Sequence, residues 1–204
     1  MEKMNWLLPV AGVIAAYFFL VKKQAAPAMP AGSEQFKNIL KVSTTTLRPE
    51  RQVADHIKKA FVAAMLRYAP EIERLYGIKP VVWISQAALE SSFGTSGLAQ
   101  QGKNLFGIKV SRAWEAAGKP IWTGQTEEFV GGRYILIKER FKKYSTWKES
   151  IYDYAELISK VYKTAYGYAV RGDVAGFGRA IVATGYSTHP QYASLLVDAS
   201  RFVA

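Results

Sequence analysis

The sequence predicts a mainly helical α+β fold in which a small β-hairpin lobe interrupts two helical stretches, with a membrane-spanning helix in front. Three observations predict it. The chain opens on an uncharged apolar run. Apolar residues then recur with a helical period. Between residues 107 and 144 the pattern changes to short runs around a Gly-Gly pair, and helical periodicity returns after it. A hairpin lobe set between helices implies a cleft between two lobes, a shape that suits a polymer substrate.

Met4 to Val21 carries no charge over 18 residues, within the range of about 17–25 needed to cross a bilayer. Trp6 and Tyr17 are placed for the interfaces, and Lys22-Lys23 closes the run. A cleaved signal peptide is the competing reading, with Ala26-Pro27-Ala28 as a small-x-small site. The run exceeds a usual signal core of about 7–15 residues, and the lysines intervene, which favours a retained single-pass anchor. Residues 1–23 are therefore read as the anchor. The two lysines would hold the following domain on the cytoplasmic side. A domain on the opposite side needs this small bias overridden, or a membrane other than a normal cell envelope, such as one inside a phage particle.

Gln24 to Ser33 (QAAPAMPAGS) has linker composition, and a short helix is expected after it, so 24–46 is read as linker and 47–204 as one folded domain. From Arg51 to Tyr76 the apolar period is helical, split at Pro70 and ended by Gly77. Pro80 opens the next helix, which runs to Gly94. Gln125–Val130 and Tyr134–Phe141 flank Gly131-Gly132 as a hairpin. Helices are expected again over 146–162, about 174–184 and 190–202.

Composition narrows the chemistry. There is no cysteine, which excludes disulfides, thiolate metal sites and a cysteine nucleophile. Only His56 and His189 are available, without metal-site spacing, so neither metal nor cofactor is expected. The net charge of +11 favours a polyanionic partner. With no basic run or RNA-binding signature, nucleic acid is not the expected one. Oligomeric state is not legible in the sequence.

Glu90 is the first candidate for chemistry. On a helix from Pro80 it shares one face with Trp83 and Ala87. That face is apolar, so the carboxyl is partly desolvated and its pKa rises. The nearby helix C-terminus pushes the same way. Such a group keeps its proton near neutral pH, as a general acid must.

Around it stands Ala87-Ala88-Leu89-Glu90-Ser91-Ser92-Phe93-Gly94, followed by Asn104-Leu105-Phe106-Gly107-Ile108-Lys109. Further on come Trp114, Thr126-Glu127-Glu128-Phe129, a stretch from Phe141 through Tyr144, Ser145, Trp147, Ser150 and Asp153 to Tyr154, then Gly185-Tyr186-Ser187-Thr188 and Pro190-x-Tyr192-Ala193. In that order these motifs closely resemble the glucosaminidase family, glycoside hydrolase family 73, over roughly Ala54 to Phe202. The resemblance implies a lysozyme-like fold, a helical lobe and a β-lobe flanking a sugar-binding groove. It also implies an endo-β-N-acetylglucosaminidase that acts on the N-acetylglucosamine–N-acetylmuramic acid strands of peptidoglycan.

The resemblance also implies roles. Glu128 takes the second carboxylate position; Glu127 is its fallback, because alternation puts the two on opposite faces. Glu128 could activate water or act as nucleophile, or the substrate's own N-acetyl group could attack. Tyr186 resembles a tyrosine facing the acid. Phe106 and Trp114 are candidate groove walls, since sugar faces stack on aromatics. Asn104 suits a turn contact or a substrate amide. Tyr192 is a candidate substrate contact, with packing the stronger expectation. His189 stands where the family has an acidic residue. Three alternatives stay open: a lytic transglycosylase, a non-catalytic wall-binding or structural module, and a virion-borne protein that opens the wall.

Overall fold

The structure, a computed structural model, describes residues 53–130, 133–187, 189 and 191–203; the side chains of 126–135 lie outside that description. The expected anchor (1–23) and the linker with its short helix (24–46) also fall outside it. Among the described residues no helix is long and apolar enough to cross a membrane. The fold is mainly helical with one two-stranded antiparallel sheet.

Three helices follow from the first apolar stretch. Helix α1 (Asp55–Leu66) starts on an acidic residue that suits the positive helix end, and buries Phe61, Val62 and Met65. Helix α2 (Ala69–Tyr76) carries Pro70 in its first turn, where the missing N–H costs nothing. It stops at Gly77 in the left-handed conformation (φ 69°), whose N–H closes onto the Glu73 carbonyl. Helix α3 (Pro80–Ser91) also opens on proline, and every residue from Val82 to Ala88 is buried. A helix buried on all sides over two turns belongs in the centre of a domain. Here α3 is packed by α1, α2 and two C-terminal helices, α8 (Val174–Ala183) and α9 (Tyr192–Ser200).

The α3 end is unusual. Ser92, Phe93 and Gly94 all take positive φ, at 50°, 52° and 76°. For serine and phenylalanine this costs about 1–2 kcal/mol each. The turn is held by the Phe93 N–H on the Ala88 carbonyl (2.7 Å) and the Ser96 N–H on the Ser91 carbonyl (3.0 Å). Ser91 Oγ donates to the Ala87 carbonyl and accepts the Gly94 N–H. Gly94 has no room for a side chain: a Cβ would stand 2.9 Å from the Phe61 ring and 3.1 Å from that of Trp147. Gly94→Ala is therefore expected to cost about 2 kcal/mol, read as a lower urea midpoint with an unchanged slope.

Short helices occupy two places where the sequence pattern shows loops or strands: α4 (Gly97–Gln101) and α5 (Arg112–Ala116). Each spans only five residues and is too short to display a period. A serine caps each: Ser96 Oγ accepts the Ala99 N–H, and Ser111 Oγ accepts the Trp114 N–H. The expected helix over 146–162 becomes α6 (Trp147–Lys160), with a separate α7 (Lys163–Ala169) after it. Thr146 caps α6 through the Glu149 N–H, and the Glu149 carboxylate reaches back to the Ser145 N–H.

Strands β1 (Ile121–Val130) and β2 (Arg133–Lys142) form the hairpin, longer than the sequence runs suggest. Val130 pairs with Arg133, so two residues connect the strands; the turn itself lies outside the described residues. The hairpin is anchored at its base. Lys142 N–H bonds the Ile108 carbonyl at 2.9 Å, Val110 N–H bonds the Arg140 carbonyl at 3.1 Å, and the Trp122 and Phe141 rings meet at 6.0 Å. Asp153 of α6 adds a clamp from below, accepting Lys142 Nζ at 2.7 Å and the Tyr144 hydroxyl at 2.5 Å.

Candidate active site

Glu90 lies in the last turn of α3, partly buried, on the side from which Trp83 and Ala87 enter the core. Burial pushes its pKa up to about 7, and a hydrogen bond from Tyr192 pulls the other way without cancelling the shift. That bond is short: the Tyr192 hydroxyl donates to Glu90 Oε1 at 2.7 Å. Tyr192 is the first residue of α9, and the packing of α9 on α3 brings it there across 102 positions of sequence.

Behind Tyr192 the polar contacts continue into the core. Gln86 Nε2 donates to Tyr192 Oη at 2.9 Å, and the Tyr154 hydroxyl donates to Gln86 Oε1 at 2.5 Å. Gln86 is fully buried. Burial and the nearby Glu90 charge hold the phenols of Tyr154, Tyr186 and Tyr192 well above their ordinary pKa. All three stay protonated and can donate. Among the described residues no three His, Asp or Glu side chains converge as metal ligands would.

The candidate residues read from the sequence sort unevenly around this centre. Tyr186 stands beside it, its ring 6.2 Å from that of Tyr192, but its hydroxyl donates to the Phe106 carbonyl at 2.9 Å. The tyrosine bonded to the acid is Tyr192, for which the sequence favours a packing role. It does pack, and it also donates. Phe106 is not a groove wall: its ring is buried and stacks on Tyr154 at 3.8 Å. Only its carbonyl reaches the site.

Asn104 is likewise turned inward. Its amide nitrogen donates to the carbonyls of Ile108 and Lys142, and its oxygen accepts the N–H groups of Phe106 and Ile108. Both its N–H bonds and its oxygen serve the loop and the hairpin base, which is the turn role rather than a substrate contact. Asn104→Ala is expected to cost about 2 kcal/mol by orphaning these backbone groups, and to loosen the hairpin. Amide exchange at Ile108 and Phe106 would report it.

Trp114 remains partly exposed. Its Nε1 donates to the Pro120 carbonyl, its ring meets the Tyr144 edge, and the ammonium groups of Lys119 and Lys142 lie 4.7 and 4.8 Å from its ring centre. Glu128 pairs with Ile135 across the hairpin, in the same phase of the strand alternation as Trp122. Glu127 is in the opposite phase. The side chains of both lie outside the described residues. His189 Nδ1 accepts the Gln191 N–H at 3.1 Å, where α9 begins. Gln86 is the functional candidate that sequence reasoning misses. Its signal is a long polar side chain that, next to Ser85, interrupts the otherwise apolar buried run VVWISQAAL.

A mainly helical frame that ends a buried helix in a carboxyl of raised proton affinity, bonded by one tyrosine and flanked by another, suits the acid of a glycoside hydrolase domain. The chain belongs to the glucosaminidase family, matching the family described as mannosyl-glycoprotein endo-beta-N-acetylglucosaminidase over residues 66–201. It is 30% identical over 146 residues to the peptidoglycan hydrolase FlgJ of Vibrio parahaemolyticus, covering 70% of this chain and 46% of that protein. It is 32% identical over 143 residues to the exo-glucosaminidase LytG of Bacillus subtilis, covering 67% of this chain and 48% of that one. The chain thus spans about half the length of these relatives. In fold it is similar to a peptidoglycan hydrolase mutant from Sphingomonas sp. A1, with a TM-score of 0.59, 29% identity, and coverage of 71% of this chain and 92% of that one.

Proposed function

We propose that this chain cleaves the glycan backbone of peptidoglycan as an endo-β-N-acetylglucosaminidase, with Glu90 as general acid in a lysozyme-like groove. The observation that carries the reading is the Glu90 carboxyl. Burial keeps its proton affinity near neutrality, and Tyr192 is already aimed at the oxygen that will bear charge. Family membership supplies the substrate class. A protonated Glu90 hands its proton to the bridging oxygen as the C–O bond breaks, and the departing sugar leaves as an alcohol.

Positive charge then builds on the ring carbon of the N-acetylglucosamine unit. Glu128, Tyr186 and the substrate N-acetyl group are the candidates for steadying it. Three routes remain open: an inverting water attack, a carboxylate nucleophile, or N-acetyl participation. Trp114 offers a partly exposed aromatic face for sugar. The apolar run over 4–21 is proposed to anchor the domain, either in a cell envelope or in a virion membrane, with the domain facing the wall.

Incubating the full-length chain with purified sacculi and weighing the products decides between the readings. Internal cuts that leave reducing N-acetylglucosamine ends support the proposal. Release from chain ends alone would make the enzyme exo-acting, and 1,6-anhydro ends would make it a transglycosylase. Intact sacculi would leave only a binding module.

A further inference from the structure

We propose that Gln86 is a positioning residue for the acid: its side-chain amide occupies the Tyr192 oxygen and thereby commits the single Tyr192 hydroxyl hydrogen to Glu90. The proposal rests on Glu90 being the acid. It follows from counting donors. A phenol has one hydrogen, and Tyr192 Oη stands between Gln86 Nε2 at 2.9 Å and Glu90 Oε1 at 2.7 Å. The amide nitrogen can only donate, so the Tyr192 hydrogen goes to Glu90. The Tyr154 hydroxyl extends the chain from the other side, donating to the amide oxygen at 2.5 Å.

The chain of donation therefore runs one way, from Tyr154 through Gln86 and Tyr192 to Glu90. Were the amide turned over, its oxygen would take the Tyr192 hydrogen. Glu90 would then face a lone pair, an arrangement that suits the protonated acid and opposes the carboxylate. The observed sense favours the carboxylate that proton transfer leaves behind. A donor fixed before the reaction needs no reorganisation during it, and each bond in such a chain strengthens the next. Gln86 thus works against the burial that holds the proton on, and brings the acid's proton within reach of transfer.

The other groups around Glu90 do not supply this function. Tyr192 reaches it from α9, Tyr154 from α6 and Tyr186 from the segment between α8 and α9, with Tyr162 against Tyr186. All four phenols are pushed above their ordinary pKa, burial first. On the hairpin, Glu139 is paired with Lys109 at 2.8 Å, and the side chains of Glu127 and Glu128 lie outside the described residues.

The test uses the full-length chain carrying Gln86→Met, which preserves length and removes the donor. Carboxyl carbon NMR of labelled glutamate, assigned by loss of the signal in Glu90→Gln, follows the Glu90 titration directly. Its midpoint is expected to rise by about half a pH unit, towards the value in Tyr192→Phe. The alkaline limb of the rate profile on soluble glycan fragments should move with it, and the plateau rate should fall severalfold. Adding Gln86→Met to Tyr192→Phe should shift the midpoint no further, since Gln86 acts through Tyr192.

An unmoved or lowered midpoint, or an additive shift in the double variant, overturns the proposal. If Gln86→Met does not fold, Tyr154→Phe replaces it. Losing the bond that polarises the amide should move the midpoint the same way by less, and no movement overturns the idea. An active Glu90→Gln would instead remove the acid assignment, and the NMR titration would still decide the link from Gln86.

Discussion

Glu90→Gln is expected to slow glycan cleavage by about a thousandfold, within the range that losing a general acid produces. The two side chains have nearly the same shape, and an amide can still accept the hydrogen bond that Tyr192 now gives to Glu90 Oε1. Binding should therefore survive while proton delivery fails. The signature is a collapse of kcat with KM little changed, together with loss of the alkaline limb near pH 7 that the native carboxyl imposes. Retained clearing of purified sacculi would mean that another group protonates the leaving oxygen, and the reading built on Glu90 would fall.

That carboxyl is legible in the sequence because its environment is local. Trp83 and Ala87 precede Glu90 on one helix face, and both are fully buried in the fold. The helix starts and stops written by Pro70, Gly77 and Pro80 also hold. What escapes depends on partners far apart in the chain. The Tyr192 contact with Glu90 spans 102 positions, and the Gln86–Tyr192 contact spans 106. Neither periodicity nor composition carries that information. Phe106 reads as a sugar platform because it is a large aromatic in a loop, and only the approach of Tyr154 from α6 explains why its ring is interior. Asn104 looks free for the same reason, until the hairpin base is folded over it. The helices α4, α5 and α7 fall below the length at which a helical period emerges.

The second large effect is on stability. With Glu90 near pKa 7 in the fold and about 4.5 when exposed, the native state binds the proton more tightly than the unfolded chain does. Its contribution to stability is therefore complete below about pH 4.5 and is lost as pH rises through 7, the reverse of a salt-bridged carboxylate. A separation of that size is worth about 3 kcal/mol. Glu90→Gln cannot ionise, so it should unfold like the native chain at about pH 4 and be more stable than it by about this amount at about pH 8.5. Urea unfolding of both proteins across that range would show two curves that meet in acid, separate between about pH 4.5 and 7, and keep that separation above it. Parallel curves would mean that the carboxyl is solvated and titrates as an ordinary glutamate. A gain in stability that appears only as activity disappears is what a site strained for catalysis requires: the desolvation that makes Glu90 an acid is tolerated by the fold only because the rest of the α3 packing offsets it.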